Sequence, residues 1–228
     1  MRTKVDADPA GRLARDLVAF LNARGDAHVA VSGGSTPRVL FKVLASEFRD
    51  VVAWDRVTIW QVDERCVPPH DPQSNWKMLS DELLVEISDL KCRRIEAERD
   101  GAAEDYESLL RAHVPPADDT ARARVSSHFP QLDLVLLGMG ADGHTVSLFP
   151  GTAALDERER LVVRNEVPQL NTQRVTMTFP LINAARERWF LVSGADKAAA
   201  FARVQAGELP AGRVRDAAWY VNPAVIGT

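Results

Sequence analysis

The sequence predicts an α/β fold: a mainly parallel sheet with helices on both faces. Three observations carry that prediction. Short, β-branched apolar runs alternate with segments of three- and four-residue apolar spacing along the whole chain, as in strands joined by crossover helices. Several of the apolar runs end abruptly in glycine-rich or charged clusters. No internal repeat, low-complexity stretch or long linker interrupts the pattern, so residues 1–228 are expected to form one domain.

The elements follow in order. Asp8 caps and Pro9 opens a first helix; Ala10, Leu13, Ala14, Leu17, Val18 and Leu21 share one face, and the helix closes near Gly25. Residues 28–31 make a short strand. It runs into Ser32-Gly33-Gly34-Ser35-Thr36-Pro37, where Ser35 or Thr36 caps a second helix with Leu40, Val43 and Leu44 inward. Residues 57–62 (VTIWQV) are a second buried strand, ending in Asp63-Glu64-Arg65. After a proline-containing loop, Ser74-Asn75 opens a helix carrying Met78, Leu79, Leu83 and Leu84. Residues 88–100 are charged and ambiguous. Ala103, Tyr106, Leu109 and Leu110 mark a helix over 101–114, stopped by Pro115 and Pro116. Residues 117–130 read as a polar surface loop. Strands are expected at 132–137, 161–167, 174–178, 189–192 and 218–221, and helices at 180–185 and 196–205.

Composition excludes several function classes. The chain is 46% hydrophobic and 26% charged, with a net charge of −4 and interspersed signs, so no basic stripe offers a nucleic-acid footprint. Cys66 and Cys92 form no CxxC or zinc-spaced cluster, so no metal is expected. No signal peptide is legible, which makes reduced thiols and a cytoplasmic location the expectation. No apolar run approaches a membrane span.

Four polar clusters fall at predicted strand ends, where ligands of open α/β sheets bind. Ser32, Gly33, Gly34, Ser35 and Thr36 precede a helix N-terminus and suit a phosphate or other anion. Ordinary turn geometry and capping explain them equally well taken alone, and they are neither a GxGxxG nor a P-loop motif. Asp63, Glu64 and Arg65 alternate sides if extended, so Asp63 and Arg65 face one way and Glu64 the other; a local ion pair is the competing explanation. Asp142 and His144 sit among Gly138, Gly140, Gly143 and Gly151. A histidine can take a proton from water near neutrality, and a nearby carboxylate orients it. A histidine capping a short helix through Phe149 is the bland alternative, which the density of glycine disfavours. Arg174 opens a strand and Lys197 lies in a first helical turn, unfavourable for the helix dipole unless it reaches an anion; surface solvation is the alternative. His28, His70, His113 and His128 receive no role, and the tryptophans are expected in the core.

With SGGSTP at 32–37, VDERCVP at 62–68 with Ser74-Asn75, GMGADGHTVSLFPG at 138–151, RVTMTFPLIN at 174–183 and GADK at 194–197, the chain resembles the 6-phosphogluconolactonases over about residues 8–222. These belong to the glucosamine-6-phosphate isomerase/6-phosphogluconolactonase superfamily. The resemblance implies a Rossmann-like fold and cofactor-free hydrolysis of 6-phospho-D-glucono-1,5-lactone in the oxidative pentose phosphate pathway. It implies that His144 is the general base, with Asp142 its close neighbour. It implies that Ser32, Gly33, Gly34, Ser35, Thr36, Arg174 and Lys197 hold the phosphate, and that Asp63, Glu64, Arg65 and Asn75 line the sugar. Arg65, or backbone N–H groups at Gly138 to Gly140, would stabilise an oxyanion. Partners are then the sugar-phosphate lactone alone, with no nucleic acid or membrane, in a monomer or weak homodimer. Val146 stands where the family often has alanine, and 218–224 match loosely.

Three rivals bear weighing. A deaminase of the same superfamily needs a carboxylate base, for which Asp63 is available. Resembling deaminases, however, carry an acidic residue in an Asn-Glu-Pro context past the histidine, where this chain has Ser147-Leu148-Phe149-Pro150. A non-catalytic sugar-phosphate sensor normally comes with a helix-turn-helix, for which the chain has no room. A serine hydrolase needs a GxSxG elbow, which is absent, and Ser147 is expected to be structural.

Overall fold

The computed structural model describes residues 2–117 and 129–227. Along the chain run β1 (Arg2–Val5), α1 (Pro9–Asn22), β2 (Ala27–Val31), α2 (Ser35–Glu47), β3 (Val57–Gln61), β4 (Asp63–Arg65) and α3 (Asn75–Leu79), which continues into a π-helical turn, Ser80–Leu84. Then come β5 (Lys91–Arg93), α4 (Ala102–His113), β6 (Leu134–Leu137), β7 (Val162–Val167), β8 (Thr172–Met177), α5 (Phe179–Ala184), β9 (Glu187–Val192), α6 (Ala198–Gln205) and β10 (Ala218–Val221).

Seven strands form one parallel sheet in the order β1-β10-β9-β6-β2-β3-β5. Strand alternation divides its side chains between two cores. Val29, Val31, Ile59, Leu134, Leu136, Leu191 and Tyr220 pack with α1, α2 and α3 on one face. Ala30, Trp60, Val135, Leu137, Phe190 and Trp219 pack with α4, α5 and α6 on the other. Burying one large apolar side chain contributes roughly 1.5–3 kcal/mol, so both faces need helical cover, and the strands read as nearly continuous apolar runs.

The order places a crevice at one point of the sheet. From β2 the chain steps outward through β3 to β5; from β6 it steps the other way through β9 to β10. Neighbours β2 and β6 therefore flank the switch point, where a crevice opens beyond the strand ends. The loops leaving these two strands carry Ser32–Thr36 on one side and Gly138–His144 on the other.

A second, antiparallel sheet, β4-β8-β7, closes over that crevice. The sequence had suggested one sheet only. Val62 is the hinge between the two: its N–H reaches the Val31 carbonyl at 3.1 Å, and its own carbonyl accepts from the Met177 N–H at 2.8 Å. The extended chain thus leaves the parallel sheet and lays residues 63–65 along β8, with Arg65 opposite Arg174. Arg174 accordingly lies within β8 rather than opening it.

Two further strands escape sequence analysis. β1 is a mostly exposed edge strand of alternating polarity, and β5 is a three-residue edge strand inside the ambiguous 88–100 stretch. Most of the expected loop at 117–130 lies outside the described residues, as does His128. No helix among the described residues is long and apolar enough to cross a membrane.

Candidate active site

The crevice at the switch point is a cleft of about 250 Å³. It draws together Ser32, Gly33, Gly34, Ser35 and Thr36 from the first loop, and Gly138, Gly140 and His144 from the second. Asp63 and Arg65 enter from β4, Asn75 from α3, Arg174 from β8 and Lys197 from the turn before α6. A larger hollow of about 650 Å³ between β5 and α4 contains no histidine, and its Arg94 and Arg99 pair with Glu98, Glu96 and Asp105. Most of the sequence-predicted site residues gather in the smaller cleft.

The loop after β6 is built around an imidazole. Asp142 Oδ1 lies 2.6 Å from His144 Nδ1 and also accepts the His144 backbone N–H at 3.1 Å. That pairing assigns the proton to Nδ1 and leaves Nε2 as the basic nitrogen, without a hydrogen-bond partner among the described residues. Burial raises the Asp142 pKa, but the hydrogen bond and charge of His144 outweigh it and hold the carboxyl below its ordinary value. Glycine at 140 is required: a Cβ there would sit 2.2 Å from His144 Nδ1 and 2.6 Å from Asp142 Oδ1. The imidazole stacks on Phe149, with centroids 3.9 Å apart and planes at 23°. No helix forms between His144 and Phe149, so a capping role for the histidine is not what this loop provides. The Gly140 N–H donates to the His144 carbonyl at 2.9 Å. Of the backbone N–H groups expected at 138–140 to serve an oxyanion, this one is therefore already engaged.

The alternation of β4 sends its charges to different places. Asp63 and Arg65 face the cleft. Glu64, expected to line the sugar, turns away from it and is 2% exposed. Its carboxylate accepts from the backbone N–H groups of Arg65 (2.7 Å), Asn75 (2.8 Å) and Trp76 (2.7 Å), from Ser74 Oγ (3.1 Å) and from Gln61 Nε2 (2.9 Å). It ties β3, β4 and the start of α3 together. The physical reason is saturation: a buried carboxylate is tolerable when its lone pairs are filled. Asp63 accepts from Ser147 Oγ at 2.6 Å, while Asn75 Nδ2 donates to the Asp63 carbonyl at 3.0 Å. Asn75 in turn packs against Gly33 so closely that a Cβ at 33 would lie 2.0 Å from Asn75 Oδ1.

The opposite wall is cationic and short of acceptors. Gly34, not Ser35 or Thr36, caps α2, with φ +110° and no side-chain capping bond. The Ser35 and Thr36 amides thus stand at a helix start with no intrahelical acceptor, at the positive end of the dipole. Arg65 donates Nη1 to the Gln73 carbonyl. Arg174 reaches Ser147 Oγ at 3.5 Å. Burial is the largest influence on Arg174 and pulls its pKa below the usual arginine value, against the nearby Asp63 carboxylate. Ser32 Oγ, Arg65 Nε and Arg174 Nε are buried without hydrogen-bond partners among the described residues. Lys197, expected to reach an anion, lines the cleft while donating to Asp196 at 2.6 Å.

Sequence reasoning passed over Phe149 and the strain at Val146. Val146 lines the cleft at φ +50°, a conformation that costs a β-branched residue energy. Its neighbours clamp it there, Thr145 through the Gly138 carbonyl (2.9 Å) and Ser147 through Asp63. Ser147 is fully buried, its hydroxyl engaged by that carboxylate. Cys66 and Cys92 are free thiols, and burial raises both pKa values, Cys92 to about 12. No group of three or more His, Cys, Asp or Glu among the described residues could hold a metal ion.

Residues 2–221 match the family described as glucosamine-6-phosphate isomerases/6-phosphogluconolactonase. The chain belongs to this family. A 6-phosphogluconolactonase of Chlamydia muridarum is 39% identical over 178 residues, which is 78% of this chain and 64% of that protein. The chain therefore spans a little under two thirds of the length of that relative. A 6-phosphogluconolactonase of Haemophilus influenzae is 31% identical, with 94% of this chain and 93% of that protein covered. The 6-phosphogluconolactonase structure from Trypanosoma brucei superposes with a TM-score of 0.86 at 25% identity, covering 98% of this chain and 97% of that one.

Proposed function

We propose that this family member hydrolyses 6-phospho-D-glucono-1,5-lactone to 6-phosphogluconate, the lactone step of the oxidative pentose phosphate pathway, with His144 as general base. The observation that carries this is the Asp142–His144 pair, whose free Nε2 belongs to the same cleft as three cationic side chains and an uncapped helix start. A base beside an anion cradle suits water attack on a phosphorylated ester.

The steps balance. His144 Nε2 takes a proton from water as the water oxygen bonds to the lactone carbonyl carbon. The carbonyl π pair moves to oxygen, and a guanidinium, Arg65 or Arg174, holds that charge. The oxyanion then collapses, the bond from carbonyl carbon to ring oxygen breaks, and the imidazolium returns its proton to that oxygen. The new carboxylic acid ionises, so lactone and water give 6-phosphogluconate and one proton. Asp142 keeps the imidazole in the Nδ1–H tautomer throughout and stays ionised.

The family also holds isomerases, which the cleft favours less. Asp63 offers a carboxylate, but Ser147 and Asn75 engage it. The position beside the imidazole, where an acid would be wanted, is the apolar ring of Phe149. The deciding assay couples lactone opening to 6-phosphogluconate oxidation, with the spontaneous rate subtracted, and runs glucosamine 6-phosphate in parallel. Lactone turnover with no ammonia release is expected. Ammonia and fructose 6-phosphate with no lactone turnover would reverse the assignment, and phosphosugar binding without turnover would point to a sensor.

A further inference from the structure

We propose that Phe149 is a positioning residue for the reaction, the rigid face that sets the tilt of the His144 imidazole. The turnover part of this proposal rests on the lactonase assignment above. Asp142 alone cannot fix the ring. It anchors one atom, Nδ1, and its own side chain is about half exposed. One hydrogen bond leaves the imidazole free to rock about that contact, and rocking displaces Nε2, the atom that must meet the water.

Phe149 supplies the second constraint. Its ring stacks on the imidazole at 3.9 Å and is almost completely buried. Its backbone is locked as well: the Phe149 carbonyl accepts from the Thr152 N–H at 3.2 Å and from Thr152 Oγ1 at 2.9 Å. Asn165 Nδ2, from β7, holds that threonine hydroxyl at 3.1 Å. The second sheet therefore supports the ring, and the ring supports the base. The Arg174 guanidinium also lies 5.2 Å from the Phe149 centroid. The guanidinium is held separately, by Ser147 Oγ at 3.5 Å, so the imidazole stacked at 3.9 Å is the ring's principal partner.

The test uses the full chain with Phe149→Leu, which removes the aromatic face, and Phe149→Tyr, which keeps it. Phe149→Met stands in if the leucine variant does not fold. For Phe149→Leu, kcat is expected to fall about 10- to 100-fold, the scale of a misplaced reacting group. KM and 6-phosphogluconate affinity should stay within about threefold, since ground-state binding is not what the ring serves. Phe149→Tyr should keep most of the activity, and the upfield ring-current shift of the His144 ring protons should vanish only in the leucine variant. Wild-type kcat in folded Phe149→Leu, or equal losses in the leucine and tyrosine variants, would overturn the proposal. If the wild-type chain does not open the lactone, the functional assignment fails and the proton shifts decide the positioning alone: unchanged His144 resonances in Phe149→Leu would reject it.

Discussion

Asp63 and Glu64 are consecutive carboxylates in one three-residue strand, and they face two differently built regions. Behind the strand, Glu64 is saturated by five donors from four residues and its own neighbour. In front of it, the cleft carries the atoms Ser32 Oγ, Arg65 Nε and Arg174 Nε, all buried without hydrogen-bond partners among the described residues. Leaving a buried donor unmatched costs about 1–3 kcal/mol, so a fold optimised only for stability would not gather three of them around one crevice. Saturation marks Glu64 as scaffold, whereas these three unmatched donors line the cleft proposed to take the ligand; the other buried donor without a partner among the described residues, Arg188 Nε, lies on β9 outside it.

That contrast can be broken from either side. Among changes that leave His144 itself in place, the largest effect is expected from Gly140→Ala, because the added methyl would strike both His144 Nδ1 and Asp142 Oδ1. Lactone turnover should drop roughly 100-fold in a chain that still folds, as expected for a displaced catalytic group; steady-state kinetics and circular dichroism check it. Next, Arg174→Met should weaken 6-phosphogluconate binding by roughly 10- to 100-fold, the worth of one charge-assisted hydrogen bond at about 1.5–3 kcal/mol. Thermal unfolding should show little loss or a small gain, because an under-compensated buried cation has been removed. Glu64→Ala should behave in the opposite way. It strands buried backbone donors and should cost about 1–3 kcal/mol in denaturant unfolding, with activity lost in step with the displaced Arg65 and Asn75.

The smallest effect concerns pH. Asp142 has a folded pKa held below its ordinary 3.8 by His144. A carboxyl of lowered folded pKa contributes its stability above the unfolded pKa and loses it as pH falls through the folded value. The stability difference between wild type and Asp142→Asn should therefore be full at neutral pH and shrink below pH 3.8. Urea titrations at three acidic pH values would measure it.

The period-two rule made the split between Asp63, Glu64 and Arg65 legible, because three residues in extended backbone must alternate. It did not disclose what Glu64 does behind the wall, since its donors come from residues 61 and 74–76 through folding alone. The central strands were legible as buried apolar runs. β1 and β5 were not, because short edge strands are half solvated and carry no such run. The second sheet stayed hidden because nothing in β8 states that one of its partners is β4, the charged segment that follows β3. Phe149 was passed over for a plainer reason: an apolar residue among apolar residues looks like core, and its stack on His144 is a fact of three dimensions.

The account stands on His144 as a base in a cleft whose binding power comes from other groups. His144→Ala, assayed for lactone opening alongside calorimetric binding of 6-phosphogluconate, separates the two. Turnover is expected to fall about 10²- to 10⁴-fold, with product affinity unchanged. Full turnover in that variant, with binding intact, would contradict the account.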